Sequence, residues 1–119
     1  MNRSPVFING DGEQTRDFTF VENAVQVNIK SMLTENAAAF NKVYNVAVGE
    51  NFSVNYLYNA CKNYLESNWE PVYREPRAGD IRNSLADITL AKKLLGYQPT
   101  RKFEAGLADT IDFFKKVYS

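Results

Sequence analysis

Four stretches with helical periodicity, joined by short segments rich in glycine and proline, constrain the fold of this 119-residue chain most. Their apolar residues recur every three to four positions over 21–34, 53–65, 87–95 and 103–118. Short β-rich segments at 6–8, 17–20, 43–48 and 69–74 lie between them. The pattern predicts a single α+β domain with about four helices and short strands, and it contains no convincing linker.

Three features of the core follow from the same pattern. Val43–Val48 is apolar on both faces, which is typical of a strand inside a covered sheet. Cys61 lies within the apolar stripe of the second helix, so a core role is favoured over a reactive one. The last helix should bury one stripe of side chains, namely Phe103, Leu107, Ile111, Phe114 and Val117 or Tyr118.

Composition excludes several functions. Lys plus Arg and Asp plus Glu each total 14, so the chain lacks the basic face that nucleic-acid binding requires. No apolar run approaches the roughly 20 residues of a membrane span, and Met1–Pro5 has no signal-peptide core. Histidine is absent and Cys61 is the single cysteine, so histidine-activated nucleophiles and metal sites built on histidine or several cysteines are excluded. The cytoplasm is the expected location.

Two arginines stand in loops that suit a phosphate ligand. Arg16 follows the glycine-punctuated turn Gly10–Gly12, and Arg77 precedes Asp80 by three residues. Guanidinium groups bind phosphate oxygens bidentately, and a carboxylate accepts hydrogen bonds from hydroxyls. Both loops also have a plain interpretation, in which Arg16 pairs with a carboxylate of its own turn and Arg77 pairs with Asp80.

Four motifs in order carry a resemblance over residues 6–114. They are G-D-G-E-Q-T-R-D-F, V-Y-N-V-A-V-G, R-A-G-D-I-R-N-S-L-A-D-I and L-G-Y-Q-P. The chain resembles the extended short-chain dehydrogenase/reductases that act on nucleotide sugars with NAD, and most of all the UDP-N-acetylglucosamine 4-epimerases. The resemblance implies that residues 1–119 are one substrate-binding region, the C-terminal portion of such an enzyme without its N-terminal Rossmann half.

The resemblance also implies a role for seven residues, all of them in binding a UDP-sugar. Arg16 and Arg77 match two pyrophosphate-binding arginines, and Asp80 matches a ribose-hydroxyl acceptor. The other four are Phe7 and Asn9 beside the uracil, Asn45 as a polar contact to the nucleotide, and Ser84, whose small side chain favours an N-acetylated sugar. From the residues alone, Phe7 is equally an ordinary core aromatic, and Asn45 and Ser84 equally bond to backbone or cap a turn.

Catalysis is not expected from this chain by itself. The resemblance implies that NAD and the Tyr-x-x-x-Lys acid/base pair belong to the Rossmann half. No G-x-x-G-x-x-G fingerprint occurs here, and no tyrosine precedes a lysine by four positions in a context suited to that pair. A dehydratase or reductase of the same superfamily and a stand-alone nucleotide-binding module remain alternatives to the epimerase.

Self-association of the isolated chain is also expected. The resemblance implies that the helix from Val21 and the segment Val43–Val48 dock on the Rossmann half. Their apolar faces would otherwise be uncovered, and an open strand edge invites pairing with another chain. We therefore expect the isolated chain to form a homo-oligomer or to exchange strands.

Overall fold

A computed structural model describes residues 4–118 of the chain. Over these residues the architecture confirms an α+β fold of four helices and short strands. In chain order, its elements are β1 (Phe7–Asn9), β2 (Thr15–Arg16), α1 (Val21–Leu33), β3 (Phe52–Ser53), α2 (Val54–Tyr64), β4 (Val72–Arg74), α3 (Thr89–Leu95) and α4 (Phe103–Val117). A single 3₁₀ turn, Ala37–Ala39, follows α1.

The strands form two small sheets, which residues 10–14 connect along the chain. Strand β1 pairs in parallel with β4, so that Phe7 lies opposite Val72 and Asn9 opposite Arg74. Strand β2 pairs antiparallel with β3. Residues 82–84 run along the free side of β2, where Arg82 accepts the Thr15 amide at 2.9 Å and Thr15 accepts the Ser84 amide at 3.2 Å. Residues 82–84 are thereby held alongside β2.

The main core lies between α1, α3 and the segments that flank them. Its buried side chains are Val27, Ala39, Ala47, Ile88, Ala91, Leu95 and Tyr97. Tyr97 is fully buried, and its hydroxyl donates to the Ala47 carbonyl at 2.7 Å. This bond satisfies the one polar atom of a side chain that otherwise contributes only apolar contact.

Local hydrogen bonds and backbone geometry define the ends of α2 and α3. The Ser53 hydroxyl accepts the Tyr56 amide at 3.1 Å, so Ser53 is the N-cap of α2. The Asp87 carboxylate accepts the Thr89 amide at 2.8 Å, and α3 begins at Thr89, two residues after the start of the stretch 87–95 that the sequence predicts. Gly96 ends α3 in the left-handed conformation, with φ of 59°, as glycine does without steric cost.

The prediction of a strand at Val43–Val48 is wrong. No described strand lies beside this segment to complete a hydrogen-bond ladder, and Val43 is 91% exposed. The segment is held by side chains instead. The Tyr44 hydroxyl donates to the Ala39 carbonyl at 2.7 Å, and the Asn45 amide donates to the Asp87 carbonyl at 3.1 Å. A sequence with strand propensity forms a strand only where a partner is available.

Two further expectations are corrected. In α4, Phe103 and Ile111 are buried as predicted, whereas Phe114, Val117 and Tyr118 are exposed because no other described element packs over those three side chains. The strand expected from Trp69 begins only at Val72, after Pro71, which has no amide hydrogen to donate to a ladder.

The chain is extended for its length. Its radius of gyration is 17.2 Å, whereas a compact domain of this size has about 13.5 Å. Its accessible surface is 8364 Å², against about 6500 Å² for a compact protein of the same mass. Much apolar surface is therefore uncovered, including the outer face of α1, where Val21, Val25, Ile29 and Met32 are exposed. Among residues 4–118 no helix combines the length and apolarity needed to cross a bilayer.

Candidate functional site

A cleft of about 490 Å³ opens where β1 and β4 end. Because the two strands are parallel, both of their carboxyl ends point to the same edge, and the segments that follow form the two walls. The lining residues are Asn9, Gly10, Asp11 and Gln14 on one wall and Arg74, Glu75, Pro76, Arg77, Asp80, Ile81 and Arg82 on the other. Six of these eleven side chains carry charge, so the cleft suits a polar, charged ligand.

The first wall is a turn whose shape requires glycine. Gly10 and Gly12 both have positive φ, 73° and 76°. A Cβ on Gly12 would lie 2.0 Å from the Asn55 Oδ1 atom, so any other residue there would displace the Asn55 side chain. Asn55 holds the turn against α2, because its Nδ2 donates to the Asp11 carbonyl at 2.9 Å and its amide donates to the Gly12 carbonyl at 2.9 Å. The wall is thus fixed to a helix.

The second wall contains a tight turn from Arg77 to Asp80. The Asp80 amide donates to the Arg77 carbonyl at 3.2 Å, and Gly79, the third residue of the turn, has φ of 76°. A glycine with positive φ at this place is typical of a type II turn. The turn explains the R-x-G-D spacing, because it sets Arg77 and Asp80 next to each other at the edge of the cleft.

Arg16, on β2, is bonded to the second wall. Its guanidinium forms an ion pair with Asp80 and donates from Nη1 to the carbonyls of Ile81, at 2.6 Å, and Thr15, at 2.7 Å. These bonds leave Nε and one Nη2 hydrogen of Arg16 without a partner among residues 4–118. Neither plain interpretation of the two arginines holds, because Asp80 pairs with Arg16 and not with Arg77.

Arg77 is a cleft cation that the described part of the fold leaves available. Within the described part of the chain its guanidinium has neither an ion pair nor a hydrogen-bond partner, although it lines the cleft. A guanidinium in that condition keeps all five N–H donors for a ligand.

A second ion pair crosses the cleft. Arg82 Nη1 lies 2.6 Å from the Asp11 carboxylate, and both side chains are more than half exposed. The hydrogen bond from Arg82, assisted by the Glu13 amide, lowers the pKa of the Asp11 carboxyl, and the same pair raises the pKa of Arg82. Asp11 is therefore ionised at neutral pH, and it keeps Arg82 partly neutralised.

The seven residues implied by the resemblance fall into three groups. Asn9, Arg77 and Asp80 line the cleft, and Arg16 is bonded to its wall. Phe7 is half-exposed on β1, with the Arg74 guanidinium over its ring. Asn45 and Ser84 do not line the cleft: Asn45 donates to Asp87, and the Ser84 amide donates to Thr15.

Sequence reasoning did not single out Arg74, Arg82 or Gln14, although all three line the cleft. Gln14 is buried, and its Nε2 donates to the Asn9 carbonyl at 2.9 Å. Alternation along β4 is the signal that would have found Arg74, since residues 72 and 74 share a face. The only signal for Arg82 in the sequence is its position two residues after Asp80.

The groups with potential chemistry outside the cleft are otherwise engaged. Tyr58 and Lys62 have the Tyr-x-x-x-Lys spacing on α2, but the Tyr58 hydroxyl donates to the Trp69 carbonyl and Lys62 pairs with Glu70. The Glu70 contact raises the pKa of Lys62. Cys61 is half-buried, and burial raises the pKa of its thiol, so little thiolate is present at neutral pH.

Comparison with known proteins identifies the lineage. Residues 1–110 match the family described as GDP-mannose 4,6 dehydratase. A UDP-glucose 4-epimerase from Mycolicibacterium smegmatis is 34% identical over 91% of this chain and 34% of its own length.

Solved structures of similar proteins point to the same family. A UDP-glucose 4-epimerase from Thermotoga maritima, solved with UDP-glucose, is 37% identical with a TM-score of 0.89, covering 97% of this chain and 36% of that one. A UDP-N-acetylglucosamine 4-epimerase from Methanobrevibacter ruminantium, solved with UDP-N-acetylmuramic acid, is 36% identical with a TM-score of 0.85, covering 95% and 35%.

The fold and these matches define a partial extended short-chain dehydrogenase/reductase. More narrowly, the chain belongs to the NAD-dependent nucleotide-sugar epimerase/dehydratase family. Members of the family bind NAD, and the chain spans about a third of the length of the relatives it matches.

Proposed function

We propose that the cleft binds the nucleoside diphosphate part of a UDP-sugar, and that the chain is the substrate-binding portion of an NAD-dependent UDP-sugar 4-epimerase. The observation that carries this proposal is Arg77, a guanidinium without a partner in residues 4–118, adjacent to the acceptor Asp80 at the mouth of a charged cleft. A diphosphate supplies the oxygens for the first, and a ribose supplies hydroxyls for the second.

The electrostatics of the cleft favour an anion. Asp11 and Asp80 are each paired with an arginine, which leaves Arg74 and Arg77 as cations and Glu75 as the one lining carboxylate without an ion pair in the described chain. The excess positive charge sits at the end of β4, where the diphosphate would lie. In the complete enzyme, we place NAD and the acid/base pair outside this chain, and we expect the chain alone to bind without catalysing.

We also propose a finer choice of sugar, which rests on the resemblance alone because Ser84 does not line the described cleft. The small side chain of Ser84 would favour UDP-N-acetylglucosamine over UDP-glucose. The match to the family described as GDP-mannose 4,6 dehydratase favours a second candidate, a nucleotide-sugar dehydratase that uses the same cleft. We place either enzyme in the cytoplasm.

A titration of isotopically labelled chain with UDP, TDP and NAD tests the proposal. UDP should shift the resonances of Phe7, Arg16 and Arg77, and NAD should shift none of them. Arg16→Ala should weaken UDP binding about tenfold or more, because a charge-assisted hydrogen bond contributes roughly 1.5–3 kcal/mol. Arg101→Ala, which removes an arginine paired with Glu22 outside the cleft, is the matched control. Unchanged affinity in Arg16→Ala would refute the assignment.

We also propose that the isolated chain self-associates through the outer face of α1. Val25, Ile29 and Met32 project from this helix into solvent, and Met32 is 83% exposed. Contiguous apolar surface of this kind marks an interaction site. Light scattering should show a mass that rises with concentration, and Ile29→Lys should suppress the rise, whereas Leu90→Lys on α3 should not. A strictly monomeric wild-type chain at high concentration would contradict the proposal.

A further inference from the structure

Arg74 stands between the cleft and the aromatic residue that the resemblance assigns to the base. It is the last residue of β4, and its guanidinium carbon lies 3.2 Å from the centroid of the Phe7 ring. The register of the parallel pair explains the contact. Phe7 lies opposite Val72 and Asn9 opposite Arg74, so Phe7, Asn9 and Arg74 project from one face of the sheet. Ile8 is buried on the other face.

In this part of the cleft, the exposed group is the guanidinium of Arg74 and not the ring of Phe7. Arg74 lines the cleft together with Asn9, whereas Phe7 does not. Within residues 4–118, Arg74 has no carboxylate partner, so the stack on Phe7 is the contact that orients it. A planar cation that lies over an aromatic ring can offer its opposite face to a second planar group.

We propose that Arg74 forms the stacking surface for the base of the nucleotide, and that Phe7 supports Arg74 from behind. The inference rests on the proposed function of the cleft. Bases stack on guanidinium planes as well as on aromatic rings, and the arrangement would be a layered stack of base, guanidinium and phenyl ring. Arg74 is then a binding residue, and Phe7 is a positioning residue that acts through it. Specificity for a nucleotide, as distinct from a bare diphosphate, would depend on this pair.

The substitution Arg74→Lys tests the inference, because lysine keeps the charge and removes the plane. Dissociation constants for UDP and for inorganic pyrophosphate should be measured by calorimetry, directly or by competition. We expect Arg74→Lys to weaken UDP binding about fivefold or more, given the energies of stacking on planar groups. Pyrophosphate binding should change by less than about twofold, because its recognition depends on charge rather than stacking.

A double-mutant cycle with Phe7→Leu tests the supporting role. Phe7 is 43% exposed, so this change leaves the core intact. If Phe7 acts by orienting Arg74, the effect of Arg74→Lys on UDP binding should largely disappear in the Phe7→Leu background. Arg101→Lys, outside the cleft, controls for the loss of a guanidinium.

Each result has one meaning. Equal weakening of UDP and pyrophosphate binding would make Arg74 a simple phosphate cation and overturn the inference. Unchanged or stronger UDP binding in Arg74→Lys would also overturn it, because Arg74 would then be absent from the base subsite or would block Phe7. A full Arg74→Lys effect in the Phe7→Leu background would overturn the layered stack. A wild-type chain that binds no UDP would refute the proposed function itself, and this inference with it.

Discussion

Replacing Asn23 with alanine should destabilise the fold by about 3 kcal/mol, since each of its hydrogen bonds contributes roughly 1 kcal/mol net. Asn23 is fully buried on α1 and makes three bonds to the segment before α4. Its Nδ2 donates to the Arg101 carbonyl at 2.7 Å, and its Oδ1 accepts the amides of Thr100, at 3.0 Å, and Arg101, at 3.1 Å. Alanine would leave two backbone amides and a carbonyl without these partners in a part-buried place.

Urea denaturation followed by circular dichroism measures the change in the free energy of unfolding. The matched control is Asn28→Ala on the same helix, where the exposed side chain only donates to the Ala24 carbonyl of its own helix. Both substitutions gain the same helix propensity, so the difference between them isolates the buried bonds. Equal stabilities of the two variants would show that Asn23 does not join α1 to α4.

The helices were predictable because their signals are local. The bounds of α1, α2 and α4 agree with the apolar periodicity to within about two residues, which is the ordinary uncertainty of helix ends. Ser53 and Gly96 also act at the positions where their chemistry suits a helix start and a helix end. None of these features depends on a distant part of the chain.

What the sequence did not predict depends on distant partners. Val43–Val48 has the composition of a strand, but a strand needs a neighbour, and residues 4–118 supply none for it. The exposure of Phe114 and Val117 has the same origin, because periodicity reports which face is apolar and not whether another element covers it. Both corrections agree with a chain that spans a third of the length of its relatives.

The cleft was predictable in part for the same reason. Arg77 and Asp80 are brought together by a local turn that Gly79 makes possible, so their spacing in the sequence already indicated a joint site. The bond between Arg16 and Asp80 joins residues 64 positions apart, and periodicity contains no information about it. The Phe7–Arg74 stack likewise depends on the pairing of β1 with β4.

If the cleft binds a nucleoside diphosphate, Arg77→Ala should weaken UDP binding about tenfold to a hundredfold, the range expected for a charge-assisted contact of roughly 1.5–3 kcal/mol. The effect should be cleaner than for Arg16, whose removal would also release Asp80 and the Ile81 carbonyl. Arg77 has no such contacts within the described chain, so its substitution should leave the free energy of unfolding unchanged within about 0.5 kcal/mol.

Calorimetry at two salt concentrations separates the charge of Arg77 from its shape. The wild-type affinity for UDP should fall as salt rises, and the affinity of Arg77→Ala should fall less steeply, because one screened contact is missing. Arg77→Lys should restore part of the affinity and the full salt dependence, since lysine keeps the charge but not the bidentate fork. Arg101 pairs with Glu22 and Asp109 outside the cleft, so Arg101→Ala should bind UDP with the affinity and salt dependence of the wild type. If Arg77→Ala binds UDP as tightly as the wild type, the diphosphate must bind elsewhere. The other two arginines that line the cleft already have partners within residues 4–118, because Arg82 pairs with Asp11 and Arg74 lies over the Phe7 ring.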